Sequence, residues 1–132
     1  MWLSLIFLAC AAMCNAVMDT CEHHYYKSIF KPYNREYWDG TMSWLNKYKA
    51  NNVKYGRRKL IYNINYPVQL TDAWHLFKML MIIFIVLSIV TFSSNITMTW
   101  YTYTIVILIF GITWNSIFSI FYNRILIKCG LV

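Results

Sequence analysis

The stretch MLMIIFIVLSIVTFSSNITMTWYTYTIVILIFGITWNSIFSIFYN, residues 79–123, contains no charged side chain. As a single helix this run would be roughly 67 Å long, about twice the hydrocarbon thickness of a bilayer. It must therefore fold back on itself. Near its middle stand Ser93, Ser94 and Asn95, whose short polar side chains compete for backbone hydrogen bonds and oppose helix continuation. The sequence predicts a helical hairpin, with helices over residues 72–92 and 100–122.

A third apolar segment opens the chain, and Ser4 and Asn15 are its clear polar interruptions up to residue 18. Its length allows a retained membrane span, predicted over residues 1–24. The alternative is a signal peptide cleaved near Cys14-Asn15-Ala16, but a positively charged n-region is missing apart from the terminal amine. A lipoprotein cleavage box around Cys10 is a further alternative, although the apolar stretch before it is too short.

The composition supports insertion into a membrane. Apolar residues make up 59% of the 132 residues and charged residues only 13%, which is more apolar than an ordinary soluble domain. We therefore predict an all-α integral membrane protein with three transmembrane helices. An aromatic, basic interfacial loop over residues 25–71 joins helices 1 and 2, and a tail over residues 123–132 follows helix 3.

The charge distribution predicts the orientation. Nine of the twelve basic residues fall between residues 19 and 75, and two more follow the last span. By the positive-inside rule the loop and the C-terminus are cytoplasmic and the N-terminus is outside, which three retained spans satisfy. The location that fits is a bacterial inner membrane. A cleaved first segment would leave the loop on the outer side, so retention of the first span is preferred.

The loop is rich in tyrosine and tryptophan as well as in lysine and arginine, which is too aromatic for a disordered linker. Such rings and cations suit the headgroup region, and each basic residue near an anionic membrane contributes about 1 kcal/mol of binding. Anionic lipids are therefore the expected partner. Nucleic acid is the competing explanation, but no nucleic-acid fold signature is present. Within the loop, a turn at Asp39-Gly40, a short helix over residues 41–50 and a strand-like pattern over residues 60–66 are predicted.

All three histidines lie where the chain leaves and re-enters the bilayer. Asp19 and His23 are four residues apart, and Asp72 and His75 are three apart, so each pair shares one face of its helix end. Two carboxylates and two imidazoles suit Zn²⁺, Mn²⁺ or Fe²⁺. The spacing thus predicts a metal centre at the inner interface, with His24 one residue away from the shared face.

Each of these residues also has an ordinary explanation. Thr71 before the apolar run is a typical N-cap, with Asp72 in the first turn favoured by the helix dipole. Asp19 and Glu22 can pair with loop lysines. The cysteines lack zinc or disulfide spacing and are expected to be free packing thiols.

Part of the chain resembles a group of small bacterial and phage membrane proteins without an assigned activity. The tract runs through Phe30, Tyr37-Trp38 and Ser43-Trp44-Leu45-Asn46-Lys47-Tyr48 to Leu70-Thr71-Asp72-Ala73-Trp74-His75-Leu76-Phe77-Lys78. Gly40 stands where the group more often has a proline-containing turn. The resemblance covers residues 19–78 and implies that they form one module, but it implies no activity.

Helix 3 carries Gly111, Asn115 and Ser119 at every fourth position, which predicts close packing against helix 2. The absence of ionisable groups within residues 79–123 argues against an ion path.

Two functions from different classes remain. In the first, the metal activates water to hydrolyse a lipid or another membrane-associated substrate, with Glu22 or His24 assisting proton transfer. In the second, the protein is a non-enzymatic accessory subunit that binds a protein partner or anionic lipid. No HExxH or GxSxG signature supports the enzyme.

Overall fold

Three long helices dominate the computed structural model, which describes residues 1–43, 68–93 and 99–127. They are α1 (Trp2–His23), α4 (Ala73–Ser93) and α5 (Trp100–Ile120), and α5 continues into a π-helical turn over Phe121–Leu126. Each is long and apolar enough to cross a membrane. The protein is thus an all-α membrane protein, as predicted. The predicted helix bounds agree within two residues, except that helical structure runs four residues further at the end of the third span.

The first helix is the centre of the bundle and runs antiparallel to α4. The hydroxyl of Ser4 donates to the carbonyl of Ser88 at 2.8 Å, and the Ser88 hydroxyl donates back to the Ser4 carbonyl at 2.9 Å. Both serines are buried. Small side chains that donate to each other's backbone carbonyls let two helix backbones approach closely within lipid. Further along, Phe7 stacks on Phe84 with ring centroids 6.3 Å apart.

The third span packs mainly against α1 rather than along α4. Its contact with α4 includes Phe110, whose ring lies 5.4 Å from that of Phe92. The prediction that Gly111, Asn115 and Ser119 pack against the second span is wrong, because all three residues are exposed. The side chains of the third span that pack against the buried core are bulkier ones, including Phe118 and Phe121.

A small cap closes the end of the bundle where α1 finishes. We define the cap as residues 24–43, 68–72 and 121–127. It contains two short helices, α2 (Arg35–Trp38) and α3 (Gly40–Ser43), and short 3₁₀ turns at Tyr25–Lys27 and Val68–Leu70. The predicted helix over 41–50 is present up to Ser43, and its remainder lies outside the described residues, as does the predicted strand over 60–66.

The cap has its own apolar core, continuous with the end of the bundle. Its buried members are Tyr25, Phe30 and Leu126 from the cap, together with Ala16, Val17 and Cys21 from α1 and Ala73 from α4. Aromatic stacking fixes the loop over this core, since the rings of Phe30 and Trp38 are stacked at 4.4 Å. The C-terminal segment is held by a backbone hydrogen bond of 2.9 Å from the amide of Ile29 to the carbonyl of Leu126.

Aromatic side chains mark both ends of the spans. Trp2 and Trp100 are 77% and 81% exposed at the end distant from the cap, and Tyr26 and Tyr33 are exposed on the cap itself. From Trp100 to the start of the π-helical turn is about 32 Å of helix, close to the thickness of a bilayer's hydrocarbon core. Two aromatic belts at this separation are typical of a membrane-spanning protein. Cys10, Cys14 and Cys21 are free thiols.

Candidate functional site

Asp72 and His75 form a tight carboxylate–imidazole pair at the start of α4. The Asp72 side chain is 1% exposed, and its Oδ2 lies 2.7 Å from Nδ1 of His75. The other carboxylate oxygen accepts the backbone N–H of His75 at 2.8 Å. The hydroxyl of Thr71 also donates to Oδ2, at 3.2 Å. Both oxygens of this buried carboxylate are therefore occupied within its own turn of chain.

These bonds give Asp72 the role of helix cap. A side-chain oxygen that accepts the backbone N–H three residues later satisfies one of the open donors at a helix start, which is the geometry of an N-cap. The prediction that Thr71 is the N-cap and Asp72 lies in the first turn is wrong by one residue, since α4 begins at Ala73. Thr71 instead donates a hydrogen bond to the Asp72 carboxylate that forms this N-cap.

The other predicted ligands lie on a different side of α1. Asp19 lies within electrostatic range of His23 one turn later and of Tyr122 in the π-helical turn, so this face of α1 is directed toward the third span. The ring of His24 also meets that of Tyr122, edge to face at 5.7 Å. Asp19 and His23 are thus grouped, but with the third span rather than with the second.

Cys21 shows where Asp72 lies relative to α1. Its buried thiol is within range of the charges of Asp72 and Asp39. Residues two apart on a helix point about 200° apart. Asp72 therefore lies beside the face of α1 that is nearly opposite to Asp19.

The structure does not support the predicted metal centre. Among residues 1–43, 68–93 and 99–127, no three His, Cys, Asp or Glu side chains come together in a way that would hold a metal ion. The pair of Asp72 and His75 is formed, but Asp19 and His23 are separate from it. Glu22, predicted to assist catalysis, is exposed, and His24 contacts Tyr122. Zn²⁺, Mn²⁺ or Fe²⁺ binding stays an unsupported prediction.

Sequence reasoning missed a second buried carboxylate, Asp39, which it assigned only to a turn. Asp39 is 1% exposed, and its Oδ2 accepts from Nε of Arg35 at 3.0 Å and from the hydroxyl of Tyr26 at 3.2 Å. Its Oδ1 accepts from the backbone and the hydroxyl of Thr41, at 3.0 and 2.6 Å. The hydroxyl of Tyr26 also accepts a hydrogen bond from Arg35. The four-residue spacing of Arg35 and Asp39 was the signal available in the sequence.

Hydrogen bonds decide the direction in which the pKa of Asp39 is shifted. Burial raises the pKa of Asp39, but the bonds from Thr41, Arg35 and Tyr26 together outweigh burial and leave the pKa below its ordinary value. The bond to Asp39 likewise raises the pKa of Arg35. Asp39 is therefore a charged structural group that ties α2, α3 and the loop together.

The cap surface carries the charge that a membrane partner would meet. Its exposed cations are Lys27, Lys31, Arg35 and Arg124, and Lys78 near the start of α4 adjoins them. Lys78 lies over the ring of Trp74, with its ammonium nitrogen 4.6 Å from the ring centre. A lysine packed on tryptophan at a helix entry is typical of a membrane interface, where the stem is apolar and the head is wet.

The strongest positive charge lies in the sequence between α3 and the Val68–Leu70 turn. Residues 44–67 hold no acidic residue and carry six basic ones: Lys47, Lys49, Lys54, Arg57, Arg58 and Lys59. The residues that flank this tract, Ser43 and Val68, both belong to the cap. The tract is therefore tethered at both ends to the same end of the bundle.

Comparison with known proteins adds no relative. No family model matches the chain, and no curated protein or solved structure matches it either. The resemblance to small bacterial and phage membrane proteins stays a prediction. Fold and cap together define the class: a three-span helical membrane protein with a cap at one end of the bundle.

Proposed function

We propose that this protein is a non-enzymatic membrane accessory protein whose cap binds anionic lipid headgroups on the cytoplasmic leaflet. The observation that supports the proposal is that the two buried carboxylates, Asp72 and Asp39, are both engaged in structural hydrogen bonds. Asp72 caps α4 and holds His75, and Asp39 caps α3 and holds Arg35. Since structural bonds account for both carboxylates, the basic and aromatic surface is what remains for a partner.

The electrostatics favour lipid. The protein has a formal net charge of +7, and the tract 44–67 contributes cations without acids while both its ends are tied to the cap. Each basic residue held near an anionic leaflet contributes about 1 kcal/mol of attraction, within a Debye length of about 10 Å. The spans keep the cap at the interface, so these cations meet headgroups without any cost of recruitment from solution.

Metal-dependent hydrolysis is not carried forward as the proposal. It requires the two Asp/His pairs to converge, and among the described residues no metal-holding group is found. The buried carboxylate of Asp72 has both oxygens engaged already.

Lipid binding is tested by quenching of tryptophan fluorescence after reconstitution. Brominated phosphatidylglycerol and brominated phosphatidylcholine are compared at equal mole fraction, and the anionic lipid is expected to quench several-fold more effectively. The preference should fall in the triple variant Arg57→Gln, Arg58→Gln, Lys59→Gln. It should be retained in the matched control Arg57→Lys, Arg58→Lys, Lys59→Arg, which keeps the charge. Equal quenching by the two lipids would contradict the proposal.

The orientation is tested separately. We propose that the cap is cytoplasmic in a bacterial inner membrane, because the positive-inside rule places the basic residues there. Lys27→Cys and Thr99→Cys lie at opposite ends of the bundle, and both positions are exposed. A membrane-impermeant maleimide added to intact spheroplasts should label Thr99→Cys and spare Lys27→Cys. The reverse pattern would overturn the orientation and leave the lipid preference to be judged on its own.

A further inference from the structure

One face of α5 presents hydrogen-bonding groups where the bundle leaves it uncovered. Gly111, Asn115 and Ser119 recur at every fourth residue, and Asn123 follows one turn later; all four are exposed. We call these four residues the α5 polar stripe. Asn115 lies about 22 Å along the helix from Trp100 and about 10 Å before Tyr122, well inside a hydrocarbon layer about 30 Å thick.

The hydrogen-bonding capacity of Asn115 is only partly used. Its Nδ2 donates to the carbonyl of Gly111 at 2.9 Å. No described residue donates to its Oδ1. In water such an amide would be solvated, but acyl chains offer neither donors nor acceptors, so an open amide at this depth is unfavourable. The position favours contact with a further polar group beyond the part of the chain that the structure describes.

Gly111 makes room for that partner. A methyl group built at Gly111 would meet nothing within 4 Å, so the backbone of α5 is open to a close neighbour at this point. Small residues one turn apart from polar ones are the usual means by which membrane helices approach and hydrogen-bond. None of the residues of α5 is buried, whereas α1 is packed by both other spans.

We propose that the α5 polar stripe is the contact surface between two copies of this chain in the membrane. A carboxamide offers both a donor and an acceptor, so it is complementary to itself. A two-fold axis beside Asn115 lets each Nδ2 donate to the partner's Oδ1, which satisfies both open oxygens at once. A second copy presents the matching amide at the same depth, because it spans the membrane in the same way. Lipid presents no such group there.

The contact is independent of lipid binding by the cap. It lies on the third span, and none of its residues belongs to the basic tract 44–67. Failure of the lipid experiment therefore leaves the self-association unaffected, and the converse also holds.

Single-molecule photobleaching of labelled protein in liposomes, over a range of protein-to-lipid ratios, tests the proposal. Wild type is expected to form dimers. Asn115→Leu keeps the size of the side chain but removes two symmetric amide bonds, which should weaken dimerisation about tenfold. Gly111→Ile places a bulky side chain where the partner helix would approach, and its Cβ meets nothing within 4 Å in the protomer. It should therefore abolish dimers while the helical content and thermal stability of the protomer persist. Ile120→Leu, exposed on another side of α5, is the matched control and should dimerise as wild type does.

Three outcomes would overturn the proposal. The first is wild-type protein that stays monomeric at the highest density. The second is a dimer that neither Gly111→Ile nor Asn115→Leu weakens, which would place the contact elsewhere. The third uses a photo-cross-linking residue at position 112, beside the stripe, in native membranes. Adducts to a different protein without any adduct to a second copy would show that the stripe binds another protein and not a second copy of this chain.

Discussion

Asp72→Ala removes the group that begins α4, and its cost can be estimated from the bonds that Asp72 makes. Loss of an N-cap costs about 0.5–2 kcal/mol. The bond to Nδ1 of His75 adds about 0.5–1.5 kcal/mol, toward the lower value because the imidazole is 23% exposed and regains water. We expect the free energy of unfolding to fall by about 1–3 kcal/mol. Asp72→Asn keeps an oxygen for the backbone N–H of His75, so its cost should be nearer 1 kcal/mol.

The measurement is equilibrium unfolding in mixed micelles of increasing SDS content, followed by far-ultraviolet circular dichroism. Glu22→Ala is the matched control, because Glu22 is exposed and its replacement should stay within about 0.5 kcal/mol of wild type. A double-mutant cycle with His75→Ala isolates the pair, and a coupling of about 0.5–1.5 kcal/mol is expected. The reasoning is refuted if Asp72→Ala costs no more than Glu22→Ala, or if Asp72→Asn is as damaging as Asp72→Ala.

Three further predictions follow from the cap and the bundle. Because the pKa of Asp39 is lowered in the folded state, the ionised carboxylate stabilises the fold above its ordinary pKa of about 4, and this contribution is lost as the pH falls through the lower folded value. Protection of the cap from proteolysis should therefore drop below about pH 4 in wild type. Asp39→Asn should show little of that drop. Gly40→Ala brings a methyl within 3.0 Å of the backbone of α1 and should cost about 1–3 kcal/mol in SDS unfolding, whereas Gly111→Ala under monomeric conditions should cost nothing. Replacing Ser4 by Ala should cost about 0.6–1.7 kcal/mol, and the same change in a Ser88→Ala background should cost about as much, because the Ser4 hydroxyl donates to the backbone carbonyl of Ser88, which that background retains.

The four-ligand centre shows where sequence reasoning failed. Spacing along a helix correctly paired Asp72 with His75, because residues three apart share one face whatever surrounds them. It also paired Asp19 with His23. The convergence of the two pairs depended on the rotation of α1 about its axis, which no local spacing encodes. In the structure the face with Asp19 looks toward Tyr122.

The prediction for the packing of the third span failed for a related reason. A small, polar stripe marks a helix surface that suits close approach, and Gly111 and Asn115 do form such a surface. The pattern does not say which helix covers it. Within the protomer α5 presents bulkier side chains to α1 and leaves the stripe outward, so the partner predicted in the same chain was wrong.

The sequence by itself determined the number of spans, their ends and the membrane environment. Those properties depend on the length of apolar runs and on where charges interrupt them, which are local and strong signals because lipid tolerates few exceptions. Only the tertiary structure decided which surfaces meet and what the buried acids do. It places α1 between the other two spans, makes Asp72 the N-cap of α4, and puts Asp39 at the centre of the hydrogen bonds within the cap at the end of the bundle. Helix rotation and loop closure are set by many weak contacts between distant residues, such as the two serines 84 positions apart, and these contacts exist only once the chain has folded.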